Sequence, residues 1–242
     1  MTGRAPATPP SPAPGDPLPR VALVVPDFQL ERALAAECGA GCVAGVDEAG
    51  RGALAGPVFA AAVALPLDDP TLAEALREVR DSKLLTAAAR ERLLPLIAQH
   101  AVATGVGQAS AATIDRLGIL PATRLAMGEA IRALSPSAAA VLIDGPIRLA
   151  AVALPQRPVI RGDQLSVSIA AASILAKVYR DRTMVALHER FPEYGFARHK
   201  GYGTAEHRRT LAALGPCPEH RLTFAPLAER KGETADYADF TD

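Results

Sequence analysis

Three apolar runs in this chain stop on carboxylates, and that limits how its strands can be laid out. Cys42-Val43-Ala44-Gly45-Val46 stops on Asp47-Glu48, Val141-Leu142-Ile143 on Asp144, and the run around Val159-Ile160 on Asp163 after Arg161-Gly162. Short apolar runs that break at glycine and charge read as strands leading into turns. Two more candidates, Pro57 to Leu65 and Ala101 to Gln108, follow the first run closely, whereas helical patterns at 86–99, 120–134, 166–190 and 204–214 separate the later strands at 139–143 and 158–160. Thr86 and Thr204 are suited to cap two of those helices, the second with Glu206 in support. The order predicts an α/β fold: a mixed sheet, antiparallel at its start and parallel at its finish, flanked by helices and completed by a C-terminal helical region.

The 242 residues suffice for one domain with extensions, and their 49% hydrophobic and 21% charged content is that of a globular protein. A net charge of zero excludes a general polycation, so any nucleic-acid contact must come from a local basic patch. Cys38, Cys42 and Cys217 are too few for a disulfide framework, and the first two have no neighbouring His or Cys to complete a zinc site. With no signal pattern or membrane-length apolar run, the expected location is cytoplasmic. Residues 1–41 read as a flexible proline-rich extension, within which 27–37 could form a short helix; 42–227 read as the catalytic domain and 228–242 as a mobile acidic tail.

Ligands of an open α/β sheet bind beyond the carboxyl ends of its strands. Asp47, Glu48, Asp144 and Asp163 are therefore expected at one place. Any one of them could be a turn residue or a helix cap. Together and unpaired they would repel one another, and clustered oxygen ligands of this kind suit Mg²⁺ or Mn²⁺. Neighbours on a strand face opposite sides, so Asp47 and Glu48 are expected to meet through a turn supplied by Gly50 and Gly52. Gly50-Arg51-Gly52-Ala53-Leu54-Ala55 also satisfies a dinucleotide-binding pattern. Pro57 and Val58-Phe59 follow where that motif needs a helix, and the two acids would oppose a pyrophosphate. A stretch from Lys177 to Arg209, with Arg180, Arg182, Arg190, Arg198, Lys200 and Arg208 interleaved with Tyr179, Tyr194, Phe196 and Tyr202, reads either as a nucleic-acid-binding face or as a solvated helix surface.

Gly45-Val46-Asp47-Glu48-Ala49-Gly50-Arg51-Gly52-Ala53-Leu54-Ala55-Gly56-Pro57-Val58 closely resembles the opening signature of bacterial ribonuclease HII. Asp81-Ser82-Lys83, Ile143-Asp144-Gly145, Gly162-Asp163, the Ala-rich run Ser168 to Val178 and His199-Lys200-Gly201-Tyr202-Gly203-Thr204 are similar to its later motifs, in the same order, over about 42 to 227. The resemblance implies an RNase H-like fold and an endonuclease that hydrolyses the RNA strand of RNA–DNA hybrids and cuts 5′ to ribonucleotides in duplex DNA. It implies that Asp47, Glu48, Asp144 and Asp163 hold the metal, that Gly50, Arg51 and Gly52 inspect the ribose 2′-hydroxyl, that Tyr202 packs on the sugar, and that Lys83 and Lys177 contact phosphates. Leu84, Gly118 and Pro146 depart from the usual pattern.

A two-ion mechanism would have Asp47 bridge both ions, Asp163 serve the water-activating side, and Glu48 and Asp144 the leaving-group side, giving a 3′-hydroxyl and a 5′-phosphate. Ser173 and Cys42 are read as packing residues, since no nucleophilic side chain is required. The expected partner is the nucleic-acid duplex; nothing points to a protein partner or a membrane. The alternatives are a ribonuclease HIII-type enzyme, disfavoured by an N-terminal segment too short for an added domain, and a non-catalytic binding module, disfavoured by the four acids.

Overall fold

The computed structural model describes residues 25–228; the prolines of the N-terminal extension up to residue 19 and the acidic tail from 229 lie outside them. Five strands, β1 (Val43–Ala49), β2 (Val58–Ala64), β3 (Ala103–Ala109), β4 (Ala140–Asp144) and β5 (Gln156–Val159), form one sheet in the order β3-β2-β1-β4-β5. β1, β2 and β3 pair antiparallel, and β1–β4 and β4–β5 pair parallel. The change of direction falls at β1, because a tight loop returns β1 to β2 whereas β3 reaches β4 only through helices. The helices are α1 (Gln29–Cys38), α2 (Leu72–Ala75), α3 (Ala87–His100), α4 (Ala111–Leu117), α5 (Ile119–Arg132), α6 (Val167–Arg190), α7 (Phe196–His199) and α8 (Ala205–Leu214). Thr86 and Thr204 cap α3 and α8 through their side chains, as their positions before the helical patterns predict.

Each face of the sheet has its own core. Ala44, Val46, Val58 and Ala60 meet Ala122, Ala126 and Met127 of α5 on one side. Ala61 and Val63 meet Leu93 and Ile97 of α3 and the alanines of α6 on the other. Alternate residues of β1 and β2 thus enter different layers, as period-two strands require. The small side chains of α6 let it lie directly on β1. A Cβ at Gly45 would stand 2.2 Å from the amide nitrogen of Ile169, so any larger residue there must push the helix off the sheet. A third cluster, with Met184, Leu187, Tyr194, Phe196 and Leu211, joins the far end of α6 to the C-terminal helical region.

The sequence-based domain boundary at residue 42 cuts off an element that belongs to the packed structure. Phe28 and Leu34 of the α1 region are buried. Glu31 is fully buried, and its Oε1 accepts hydrogen bonds from Ser166 Oγ (2.6 Å), Ser168 N (2.9 Å) and Ser168 Oγ (2.7 Å). A carboxylate against the unpaired amides at the N-terminus of α6 complements the helix dipole. The burial of Glu31 is what single-chain composition could not show, because proline density ahead of it sets the local average. Among the described residues no helix is long and apolar enough to cross a membrane, and the three cysteines are free.

Candidate active site

The parallel register places Val46 opposite Ile143, so Asp47 and Asp144 come next, level with each other where β1 and β4 part. Val159 pairs with Asp144, and a turn through Arg161, in the left-handed conformation at φ 56°, brings Asp163 back toward the same end. β1 does not turn at the acidic pair: it stays paired with β2 through Ala49. Asp47 pairs with Ala61 and so faces the α6 side; Glu48 pairs with Ala60 and faces the α5 side. The expected turn is therefore corrected. The two carboxylates reach one cleft from opposite faces because the cleft lies at the end of the sheet. Gly50, at φ +95°, turns the chain only after the strand has ended.

The cleft, of about 460 Å³, is lined by Asp47, Glu48, Gly50, Arg51, Gly52, Lys83, Asp144, Ser173, Lys177 and Tyr202, with Ile119 and Phe224 at its apolar side. Asp163 adjoins it through Lys83, whose Nζ lies 3.2 Å from Asp163 and 3.8 Å from Asp81. All ten residues singled out in the sequence are thus in or beside one cleft. A slightly larger depression, about 490 Å³ between α3 and α6, holds none of the strand-end acids.

Electrostatics in the cleft are unfavourable to the protein on its own. Asp47 is 4% exposed; burial first, then the charges of Glu48 and Asp144, hold its carboxyl well above the usual range. Burial also raises Asp144 and Asp163. Partial relief comes from inside the protein. Asp47 accepts from the Glu48 amide at 2.7 Å, Asp144 from the Gly162 amide at 2.7 Å, and Glu48 from Arg51 at 2.9 Å. Among the described residues no three acidic, His or Cys groups stand close enough to close a metal cage as they lie. The chemistry of the set nevertheless fits a hard divalent cation: oxygen donors, buried charge and repulsion that a cation would relieve.

Two expectations change. Ser173 is more than a packing residue: its hydroxyl bonds Asp47, partly opposing the rise of that carboxyl, and lies 2.8 Å from Ser82 Oγ. The stretch from Lys177 to Arg209 is not one basic face. Arg182, Arg190 and Arg198 pair outward with Glu91, Glu219 and Glu206, Arg180 is buried, and Lys200 lines the other depression. Lys177 alone of its cations reaches the cleft, where it also bonds Asp181 at 2.6 Å. The spacing of charges along a sequence does not say which of them find partners.

The ribonuclease HII family profile matches residues 44–226. The chain belongs to the ribonuclease HII family. Ribonuclease HII of Chloroflexus aurantiacus is 52% identical over 206 residues, covering 85% of this chain and 96% of that protein. The Halorhodospira halophila ribonuclease HII is 53% identical, covering 80% and 97%. The crystal structure of ribonuclease H2 from Pyrococcus horikoshii superposes with a TM-score of 0.65 at 26% identity, covering 80% of this chain and 99% of that one. The fold is RNase H-like, and the protein is a ribonuclease H-type, metal-dependent endonuclease. The family match decides against the HIII alternative and the non-catalytic module.

Proposed function

We propose that the cleft cuts the RNA strand of RNA–DNA hybrids and cuts on the 5′ side of ribonucleotides embedded in duplex DNA, with Asp47, Glu48, Asp144 and Asp163 holding a pair of Mg²⁺ or Mn²⁺ ions. The observation that carries this reading is the burial of Asp47 against two further carboxylates, a placement that costs stability unless a cation shares it. When bound, such ions would activate water and neutralise charge on the leaving oxygen. Asp47, beside both Glu48 and Asp144, would be shared between the ions. Glu48 and Asp144 would serve the leaving-group side, and Asp163 the water-activating side.

The remaining residues address the duplex. Lys83, whose side chain is 75% exposed while touching Asp163, is placed to exchange that carboxylate for a phosphate. Lys177, with Asp181 beside it, adds a second positive charge. Gly50, Arg51 and Gly52 present backbone to the cleft, and the half-exposed ring of Tyr202 faces it, which suits a sugar whose 2′-hydroxyl separates RNA from DNA. The test compares three duplexes of one sequence: all DNA, DNA with one ribonucleotide, and a full hybrid, with Mg²⁺ or Mn²⁺ and with EDTA. Cleavage of the second on the 5′ side of the ribose, leaving a 3′-hydroxyl and 5′-phosphate, with the hybrid also cut and no cleavage of the first or in EDTA, is expected. Cleavage of all-DNA duplex at a similar rate would refute ribose selection.

A further inference from the structure

Two arginines are buried beneath the glycine loop, and the family signature does not account for either. Arg180 sits on α6, and Arg221 lies after α8; both are 0% exposed. Their donors go to backbone carbonyls. Arg221 donates from Nη2 to Gly50 (2.8 Å), from Nη1 to Arg51 (2.8 Å) and from Nε to Gly56 (3.0 Å). Arg180 donates from Nε to Pro57 (3.1 Å) and from Nη2 to Ala55 (3.3 Å) and Lys200 (3.0 Å). The pair thus spans the whole turn from β1 to β2 and ties it to the segment bearing Tyr202. The loop rests on these side chains: a Cβ at Gly50 would stand 1.9 Å from Arg180 Nε.

Such an arrangement is costly. Burial pushes the Arg221 guanidinium down to about 9, with the neighbouring Arg180 charge adding to the effect. Burial likewise lowers Arg180, one of whose nitrogens, Nη1, is buried without a hydrogen-bond partner. Two like charges under one loop need a return that packing alone does not give. The loop shows it. With its carbonyls turned inward onto the guanidiniums, the amides of Arg51 and Gly52 lack an acceptor among the described residues, and both residues line the cleft. The Arg180 guanidinium also lies 5.1 Å from the Tyr202 ring centroid, fixing the ring's seat.

We propose that Arg180 and Arg221 are positioning residues for ribose selection: they hold the carbonyls of the Gly50–Pro57 turn inward, so that its amides and the Tyr202 ring are set for the sugar before substrate arrives. This rests on the cleft being the ribose-reading site. A guanidinium is a flat fork that can serve three carbonyls in fixed directions, and an ammonium is not, so Arg221→Lys keeps the charge and loses the geometry. The experiment measures KM and kcat for the single-ribonucleotide duplex and Ki for the all-DNA duplex as competitor, with melting on the same preparations, for wild type, Arg221→Lys, Arg221→Gln and Arg180→Lys.

KM is expected to rise about ten-fold or more, the equivalent of one or two lost hydrogen bonds, while Ki moves by less than about two-fold. A fall in kcat alone would mean a smaller folded fraction and would overturn the proposal, as would KM and Ki rising together, or unchanged values. Failure of all three variants to fold would assign the arginines to the core and also overturn it. If the wild type itself ignores the ribonucleotide, the functional reading fails instead, and the two failures are told apart.

Discussion

At the open end of the sheet the protein buries acids whose carboxyls stay raised despite their hydrogen bonds; under the C-terminal segment it buries bases whose ring nitrogens are all matched. Asp47, Asp144 and Asp163 all have carboxyls held above their ordinary range by burial. His199, His207 and His220 are buried too, yet each ring nitrogen is matched. His199 Nε2 donates to Tyr194 O at 2.7 Å and its Nδ1 accepts from the Gly201 amide at 3.2 Å. His207 Nδ1 lies 3.0 Å from Tyr202 O, so it carries the proton there, and its Nε2 accepts from His220 Nε2 at 3.0 Å. His220 Nδ1 accepts from the Cys217 amide at 3.0 Å. One set of neutral tautomers satisfies all three rings. The difference fits the proposed function: the imidazole layer is satisfied without substrate, and on that reading cations and a duplex would complete the cleft.

The comparison breaks most visibly at Asp47. If Asp47 holds the ions as proposed, Asp47→Asn is expected to lower kcat by roughly a thousand-fold or more, since their ligand loses its charge. The same change should raise the metal-free melting temperature at neutral pH by a few degrees, because a carboxyl with a raised folded-state pKa contributes stability below its unfolded value and loses it as pH rises through the folded value. Calorimetry in EDTA beside the cleavage assay checks both; a lower melting temperature at pH 7 would mean that the charge stabilises the metal-free fold.

The imidazole layer should respond with the opposite sign. Burial, with His207 and His199 adding to it, holds His220 down to about 4, so its contribution is complete above the unfolded value of about 6.5 and is lost as pH falls toward 4. His220→Asn should cost on the order of 2–3 kcal/mol at pH 7.5, and that deficit should shrink by pH 5. Urea unfolding at both pH values decides it; a constant deficit would show that His220 does not titrate in this range.

A smaller effect sharpens the division between cleft and surroundings. Lys177→Ala should reduce the salt slope of duplex binding by about one unit, the share of a single phosphate contact. Lys200→Ala should leave it unchanged, since Lys200 faces the other depression and its Nζ bonds Ala197 O. Affinity against salt concentration is the measurement, and equal slopes for the two variants would erase the distinction.

Strand and helix positions were legible because apolar periodicity is local: the five runs and the caps at Thr86 and Thr204 match the structure within a few residues. The acidic set was legible because carboxylates at strand ends have few other reasons to recur. Three things were not. Ser173 looks apolar in an alanine run until α6 turns it toward Asp47. Glu31 looks like one more charge near a tail until Ser166 and Ser168 meet it. Arg221 stands outside every motif, and its role depends on carbonyls distant in sequence. Each rests on tertiary pairing, which periodicity and spacing do not encode.

The reach of Arg221 has a consequence in time. The carbonyl of Gly50 that it holds lies 171 residues earlier in the chain. At a ribosomal pace of about 5–20 residues per second, the loop waits roughly ten to thirty seconds for its clamp to be synthesised. Contacts of such long range form late and slowly. On the reading proposed for Arg221, a nascent chain that already carries all four acids still lacks the clamp on this turn, and ribose selection waits for it.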